Sequence, residues 1–337
     1  MPTKIEWVRN SDGTQGETWN PVTGCSKVSQ GCKHCYALRE WPRLAANPKA
    51  TAYFGREFTD VACHPERLDA PLRWTKPRKV FVNSMSDLFH EDVPDAFIDQ
   101  VFAVMALAKR HTFQVLTKRP ERMLRYMTRL SKSAKLLDDA ARTVGYTLEF
   151  QGQYLVSWPI QNVWLGVSVE DQAAADERIP LLLQTPAAVR WISAEPLLGE
   201  VDLRRIVMPD GDALGSALYN DGESAGLDWV VVGGESGPKA RPMHPAWARG
   251  LRDQCDAAGV AFLLKQWGEW QETDVVSGGD LGGDIRAGRV AIVKPSGESD
   301  GHFRRGDVLM RRVGKKAAGR LLDGVLHEAY PTDYPSS

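Results

Sequence analysis

The sequence has no excess of either charge: 42 Lys plus Arg stand against 43 Asp plus Glu, a formal net charge of -1 over 337 residues. Bulk composition therefore advertises no polyanionic partner, and any nucleic-acid surface has to be local. No apolar run approaches the ~18 residues of a membrane span, and the opening residues hold no apolar signal core, so we expect a cytoplasmic protein. Cysteine is scarce and odd in number, five in all, which argues against a disulfide framework. There is no G-x-S-x-G elbow, no G-x-x-x-x-G-K-[ST] loop and no G-x-G-x-x-G turn; the glycines of VVVGGESG match none of these and instead let the backbone turn beside Glu235. What remains is ordinary globular usage, 43% hydrophobic and 25% charged, in a chain long enough for about two domains or one large barrel.

Short runs rich in Val, Ile, Phe and Trp alternate with helical patterns from Lys79 onward: KVFVNS, TFQVLT, VWLGVS, VRWISA, DWVVVG and VAFLLK, with TWNPV at Thr18 as an earlier candidate strand. Few of them alternate apolar with polar, as expected of strands covered on both faces. Between them, PDAFIDQVFAVMALAKR, RPERMLRYMTRLSK, EDQAAADERIPLLLQ (weakened by Pro180) and PAWARGLRDQCDAAG read as crossover helices. The expected fold is α/β: a single β/α barrel, partial or complete, TIM-like, with six to eight parallel strands over residues 1–270. Residues 131–159 and 209–226 break the rhythm and read as insertions, and residues 271–337 as a C-terminal extension made of a Gly-rich segment, whose VAIVK run is a strand or a lid, and a basic tail.

Three of the cysteines share one loop, TGCSKVSQGCKHCYA, spaced Cys25-x6-Cys32-x2-Cys35; Cys63 and Cys255 stand alone. Two metal readings are open. A zinc site wants four ligands, for which His34, Cys63 and His64 are candidates, yet no second Cys-x2-Cys appears. A cradle of three cysteines instead suits a four-iron four-sulfur cluster with one iron left open for a substrate or cofactor. Small buried cysteines are the ordinary alternative, and a polar loop with Lys27, Lys33 and His34 fits it poorly.

TWNPVTGCSKVSQGCKHCYA, FVNSMSDLF, FQVLTKRPER, VWLGVSVEDQ, RWISAEPLLG, WVVVGGESG, LKQWGEW and the VGKKAAGRLLDG tail together resemble a phage-associated family of uncharacterised three-cysteine-motif proteins, similar to radical S-adenosylmethionine enzymes and distantly to spore photoproduct lyase. That resemblance implies a cluster on Cys25, Cys32 and Cys35 that binds S-adenosylmethionine and cleaves it reductively to a deoxyadenosyl radical, fed by an external electron donor. Two features depart from the wider radical-enzyme pattern: the first cysteine spacing is six residues where three is usual, and no Gly-Gly-Glu follows the second strand.

An ionisable side chain stands at or just after each of the six runs: Asp87, Lys118, Glu170, Glu195, Glu235 and Lys265. In a β/α barrel such positions converge on the catalytic face, although loops are polar anyway and a salt-bridge network is the ordinary alternative for Glu195, Glu235 and Lys265. The resemblance implies that Ser84, Ser86 and Asp87 hold the methionine amino group, that Lys118 pairs with its carboxylate, that Ser168 and Glu170 meet the ribose, and that His34 lies against the adenine. Glu195, Glu235 and Lys265 are then the candidates for substrate contact and catalysis, with Trp267 beside them. A nucleic acid or nucleotide is the expected substrate, held by the tail cations Arg304, Arg305, Arg311, Arg312, Lys315, Lys316 and Arg320 and by a second basic group around Trp74 (Arg73, Lys76, Arg78, Lys79). The zinc reading makes the chain a non-radical nucleic-acid-binding or accessory protein.

Overall fold

The computed structural model describes residues 2–10, 12–207, 213–219, 225–273, 281–297 and 303–331. Seven strands make one sheet: β1 (Glu17–Trp19), β2 (Lys79–Val82), β3 (Thr112–Thr117), β4 (Val163–Ser168), β5 (Val189–Ala194), β6 (Trp229–Gly233) and β7 (Ala261–Gln266). All six apolar runs are strands, and the TWNPV segment supplies the seventh. The strands are parallel and stand in the sheet in chain order, the succession of an incomplete β/α barrel; among the described residues β1 and β7 do not pair. Val163–Ser168 is buried at every position, which explains why its sequence shows no alternation.

Helices fill the crossovers: α1 (Tyr36–Ala45), α2 (Asp95–Leu107), α3 (Pro120–Ser131), α4 (Ala134–Thr143), α5 (Gln172–Gln184) and α6 (Pro245–Ala258). α2 is apolar nearly all round because it is covered nearly all round, burying Phe97, Ile98, Val101, Phe102 and Met105. α6 starts at His244, whose side chain accepts from the Ala246 N–H, and stops at Gly259, whose φ of 69° is the left-handed conformation that ends helices. Pro180 lies inside α5 without ending it. Residues 131–159 are more ordered than their composition suggests: they hold α4 and a two-strand hairpin, Glu149–Phe150 with Gln153–Tyr154. Of the second insertion, residues 209–212 and 220–224 lie outside the described residues, while Ala213–Gly215 pairs with Ile206–Val207.

The chain divides into two compact units, residues 2–167 with 181–191, and residues 168–180 with 192–331. The first has Trp7, Trp19, Phe89, Phe102, Phe113 and Tyr126 in its core; the second has Trp229, Leu251, Phe262 and Leu264. In the second unit the VAIVK run is a strand, Val290–Val293, paired to Val308–Arg312, which also pairs to Trp270–Glu272. No helix of the described residues is long and apolar enough to cross a membrane.

Candidate functional site

The cysteine loop in the first unit is shaped by Gly24. Its φ is +90°, and a Cβ there would stand 2.4 Å from the carbonyl oxygen of Asp60, so no larger residue fits between Thr23 and Cys25. The Gly24 N–H donates to the Met85 carbonyl at 3.2 Å and the Cys25 N–H to that of Phe58 at 2.9 Å, which pins the first thiol. Cys32 closes a short 3-10 turn, and Cys35 is the N-cap of α1. Cys25 and Cys35 pack against one buried cluster that includes Trp41, Tyr53, Phe58 and Met85. All three thiols are half-buried and free. Among the described residues no three His, Cys, Asp or Glu side chains gather as one metal ion would require.

Arg119, at the end of β3, organises the surroundings of Cys25. Its Nη1 donates to the Cys25 sulfur at 3.8 Å and to Asp87 at 3.2 Å, its Nη2 to Ser26 Oγ at 2.8 Å, and its Nε to Glu91 at 2.8 Å. Burial pushes the Cys25 thiol up to about 12, the Asp87 carboxylate pushes the same way, and Arg119 opposes both. Lys118 is the cation expected here from the sequence, whereas its neighbour Arg119 is the one that reaches Cys25. The available signal was two cations directly before the helix-opening Pro120.

Asp87 accepts four hydrogen bonds, from the Phe89 N–H (3.0 Å), Thr117 Oγ1 (2.7 Å), the Lys118 N–H (3.0 Å) and Arg119. It thereby ties the turn after β2 to the end of β3. Ser84 Oγ donates to Asn20 and Ser86 Oγ to the Val22 carbonyl, so both serines brace the approach to the cysteine loop. His34 is half-buried between the second and third thiols.

Ser26, His90 and Asp92 form what looks like a nucleophilic triad: Ser26 Oγ lies 2.8 Å from His90 Nε2, and His90 Nδ1 is 3.6 Å from the Asp92 carboxylate. The hydrogen bonds run the wrong way for that chemistry. His90 Nδ1 accepts the Asp92 N–H at 3.2 Å, so the ring proton sits on Nε2 and is donated to Ser26 Oγ, which also receives Arg119. Burial, and then Arg119, hold His90 below its ordinary pKa, so the ring is neutral at pH 7 with no lone pair facing the serine. Ser26 is a fastener of the Cys25 loop.

In the second unit the strand-end charges pair. Glu170 meets Arg178 at 2.9 Å with both side chains buried, and the same guanidinium donates to the Ser168 carbonyl. Glu235 receives Arg241 at both oxygens, 2.7 and 3.0 Å. Glu195 receives Lys265 at 2.8 Å and Gln266 at 2.9 Å, so two of the expected catalytic residues are in direct contact. Gln266 is buried and its Oε1 has no hydrogen-bond partner, which makes this the polar centre of the unit with an acceptor to spare. Trp267 Nε1 donates to the Leu321 carbonyl. The glycines beside Glu235 do more than turn the chain: a Cβ on Gly234 would stand 2.1 Å from the Trp267 carbonyl oxygen, and one on Gly268 would stand 2.0 Å from that of Glu235.

A family profile described as a protein of unknown function, DUF5131, matches residues 2–331 of the chain. The chain belongs to the DUF5131 family. No curated protein and no solved structure matches it. In this DUF5131 protein the two expected basic patches are partly spent on its own fold. Arg73 pairs with Asp69 and Arg78 with Glu17, while Arg78 also stacks over Trp74 at 5.3 Å. In the tail, Arg312 donates to the Gly237 carbonyl at 2.9 Å and lies over Trp270, and Arg320 pairs with Glu328.

Proposed function

We propose that this DUF5131 protein is a radical S-adenosylmethionine enzyme whose four-iron four-sulfur cluster is held by Cys25, Cys32 and Cys35. The observation that carries the reading is three free, half-buried thiols on one loop, two of them against a common apolar cluster. The donor set fits the group: iron-sulfur clusters are held by cysteine thiolates, each on its own iron, so the sulfurs need not converge on a point as the ligands of one zinc ion do. Arg119 adds a hydrogen bond to the Cys25 sulfur, and such bonds tune the potential of a cluster. Cys25, Cys32 and Cys35 would hold the cluster, which when bound would supply the one-electron reduction of S-adenosylmethionine, with the electron drawn from an external donor.

The chain's own residues do the holding. Asp87, saturated by four donors, keeps Arg119 charged and aimed at the thiol, and Ser26 and His90 lock the loop beside it. Lys118 is the cation for the methionine carboxylate, with Ser84, Ser86 and His34 lining the same unit. In the second unit the hydrogen-bonded pair of Glu195 and Lys265 is the contact point for a bound substrate.

The test is anaerobic reconstitution followed by iron, sulfide and zinc analysis. About four irons and four sulfides per chain are expected, lost on Cys25→Ala, Cys32→Ala or Cys35→Ala and kept on Cys255→Ala. The reduced, reconstituted protein should release deoxyadenosine from S-adenosylmethionine. Stoichiometric zinc with no visible absorption band from iron-replete anaerobic protein would leave the accessory-protein reading in its place.

A further inference from the structure

Two sequence motifs, LKQW at 264–267 and GRLL at 319–322, meet in the second unit. The Trp267 N–H donates to the Gly319 carbonyl at 3.2 Å and its indole Nε1 to the Leu321 carbonyl at 2.7 Å. One tryptophan thus grips the residue on either side of Arg320 and fixes where that side chain starts. Where it ends is fixed as well: Nη1 forms a salt bridge with Glu328, and Glu328 stands opposite Leu263 of β7 in an antiparallel bridge. The Arg320 side chain therefore runs back along β7 from the level of Trp267 toward that of Leu263, past Lys265. Leu263 and Lys265, two apart on the strand, share a face, and residues opposed across a bridge share one too, so Lys265, Glu328 and the guanidinium lie on the same face.

Glu328 takes up one end of that guanidinium and leaves its long edge. Nε and Nη2 are both buried and neither has a hydrogen-bond partner; among the described residues Arg320 is the one arginine with two such nitrogens. Buried donors are ordinarily partnered, and leaving those of a cation without an acceptor is costly. The two parallel N–H bonds of this edge match two oxygens of a carboxylate or a phosphate. Lys265, on the same face, spends one of its three N–H bonds on Glu195 at 2.8 Å and keeps the others. Gln266 donates to the other Glu195 oxygen at 2.9 Å and so fixes the carboxylate on which Lys265 rests.

We propose that the free edge of Arg320 and the ammonium of Lys265 form an oxyanion subsite, which takes a phosphate or carboxylate group of the substrate. The subsite gives the substrate of the proposed function a chemical class, an organic anion, and depends on that function only for the anion being part of the substrate. Glu328, 38% exposed against 20% for Arg320, is the member that yields as the anion enters.

The experiment follows the Arg320 side chain by NMR in the nitrogen-labelled full chain. Its Nε–H signal, assigned by its loss in Arg320→Lys or, should that variant not fold, in Arg320→Gln, is recorded while inorganic phosphate, methyl phosphate or acetate is added at constant ionic strength, with chloride as the comparison. A saturable shift of that signal with at least one oxyanion, and none with chloride, is expected. Binding is read independently from the phosphorus line width of the phosphates and from saturation transfer to the acetate methyl group. It should weaken by about tenfold to a hundredfold in Arg320→Lys, which keeps the charge and loses the paired edge, and by a similar factor in Lys265→Met. Glu328→Gln, which removes the competing carboxylate, should tighten it severalfold. A preference for methyl phosphate over acetate makes the substrate a phosphate ester, and the reverse order a carboxylic acid. The inference is overturned if no oxyanion moves the Nε–H signal, if chloride moves it equally, or if Arg320→Lys binds as the unmodified protein does. Iron, sulfide and deoxyadenosine release are measured on the same preparation after anaerobic reconstitution. Anion binding by protein that takes up no cluster keeps the subsite and sinks the radical reading, whereas a loaded protein that releases deoxyadenosine without any anion response does the reverse.

Discussion

Arg119 reaches the sulfur of Cys25 at 3.8 Å across 94 positions of sequence. The contact exists because β1, β2 and β3 stand side by side in the sheet, with Trp19 opposite Val82 and Val82 opposite Val115, so the cysteine loop leaving β1 and the Lys118-Arg119 segment leaving β3 emerge on either side of the turn after β2. The same guanidinium closes a salt bridge with Asp87 in which the two side chains are only 10% and 8% exposed.

Removing one half of that bridge should therefore cost more than removing both. Arg119→Ala leaves a buried carboxylate and is expected to destabilise by about 3 kcal/mol, the low end of the usual range because three other donors stay on Asp87. The double variant Asp87→Asn, Arg119→Met should recover much of that loss. Urea unfolding of the two single variants and the double provides the comparison, and additive losses would mean the pair is not coupled.

Glu195 and Lys265 permit a similar cycle in the second unit. Lys265→Met and Glu195→Gln should be non-additive by about 1 kcal/mol or more, since their atoms meet at 2.8 Å with 14% and 18% exposure. If the pair also acts on a bound molecule, Lys265→Met should depress turnover far more than stability.

Glycine at the ends of β6 and β7 is a packing requirement. Gly268→Ala puts a methyl group 2.0 Å from the Glu235 carbonyl oxygen at a φ of +80°, and a loss of about 4 kcal/mol or more is expected, read as loss of soluble protein or a collapse of Tm. Gly250→Ala is the contrast. It lies in α6 with its nearest neighbour, the end of the Gln254 side chain, 4.0 Å away, so thermal unfolding should show a gain of about 0.5 to 1 kcal/mol.

Asp138 sets an acid limit on the α4 region. Burial raises its pKa, but Thr147 Oγ1, the N–H of Leu148 and Arg142 outweigh that and bring it from 3.8 to about 2. A depressed carboxylate stabilises the folded state fully above 3.8, and the contribution is lost as pH falls through about 2. Melting curves of the protein and of Asp138→Asn should differ by about 1 to 2 kcal/mol near neutral pH and converge by about pH 2. A gap that persists in acid would show that shape, not charge, accounts for it.

The sequence by itself determined the parallel α/β plan, the six principal strands, four of the crossover helices and the clustering of three cysteines on the loop after the first strand. Each of these is written in near neighbours: apolar runs, helical spacing, a proline before a helix, glycine after one. VVVGGESG, which matched no phosphate motif, was legible as a turn beside Glu235, but not as the place where Gly234 lies against the Trp267 carbonyl. Residues 131–159 escaped because α4 is a short helix whose apolar stripe has meaning only against α2. Only the tertiary structure decided which charges meet. Arg119, not Lys118, stands on Cys25; Glu170 and Glu235 are neutralised by Arg178 and Arg241; Glu195 and Lys265 become one pair; Arg78, which read as a phosphate contact, is spent on Glu17, and one end of Arg320 on Glu328. The reason is physical. Hydrophobic period is a property of the local chain, whereas the fate of a charge depends on which strand lies alongside, in what register, and on how much water the fold leaves around it.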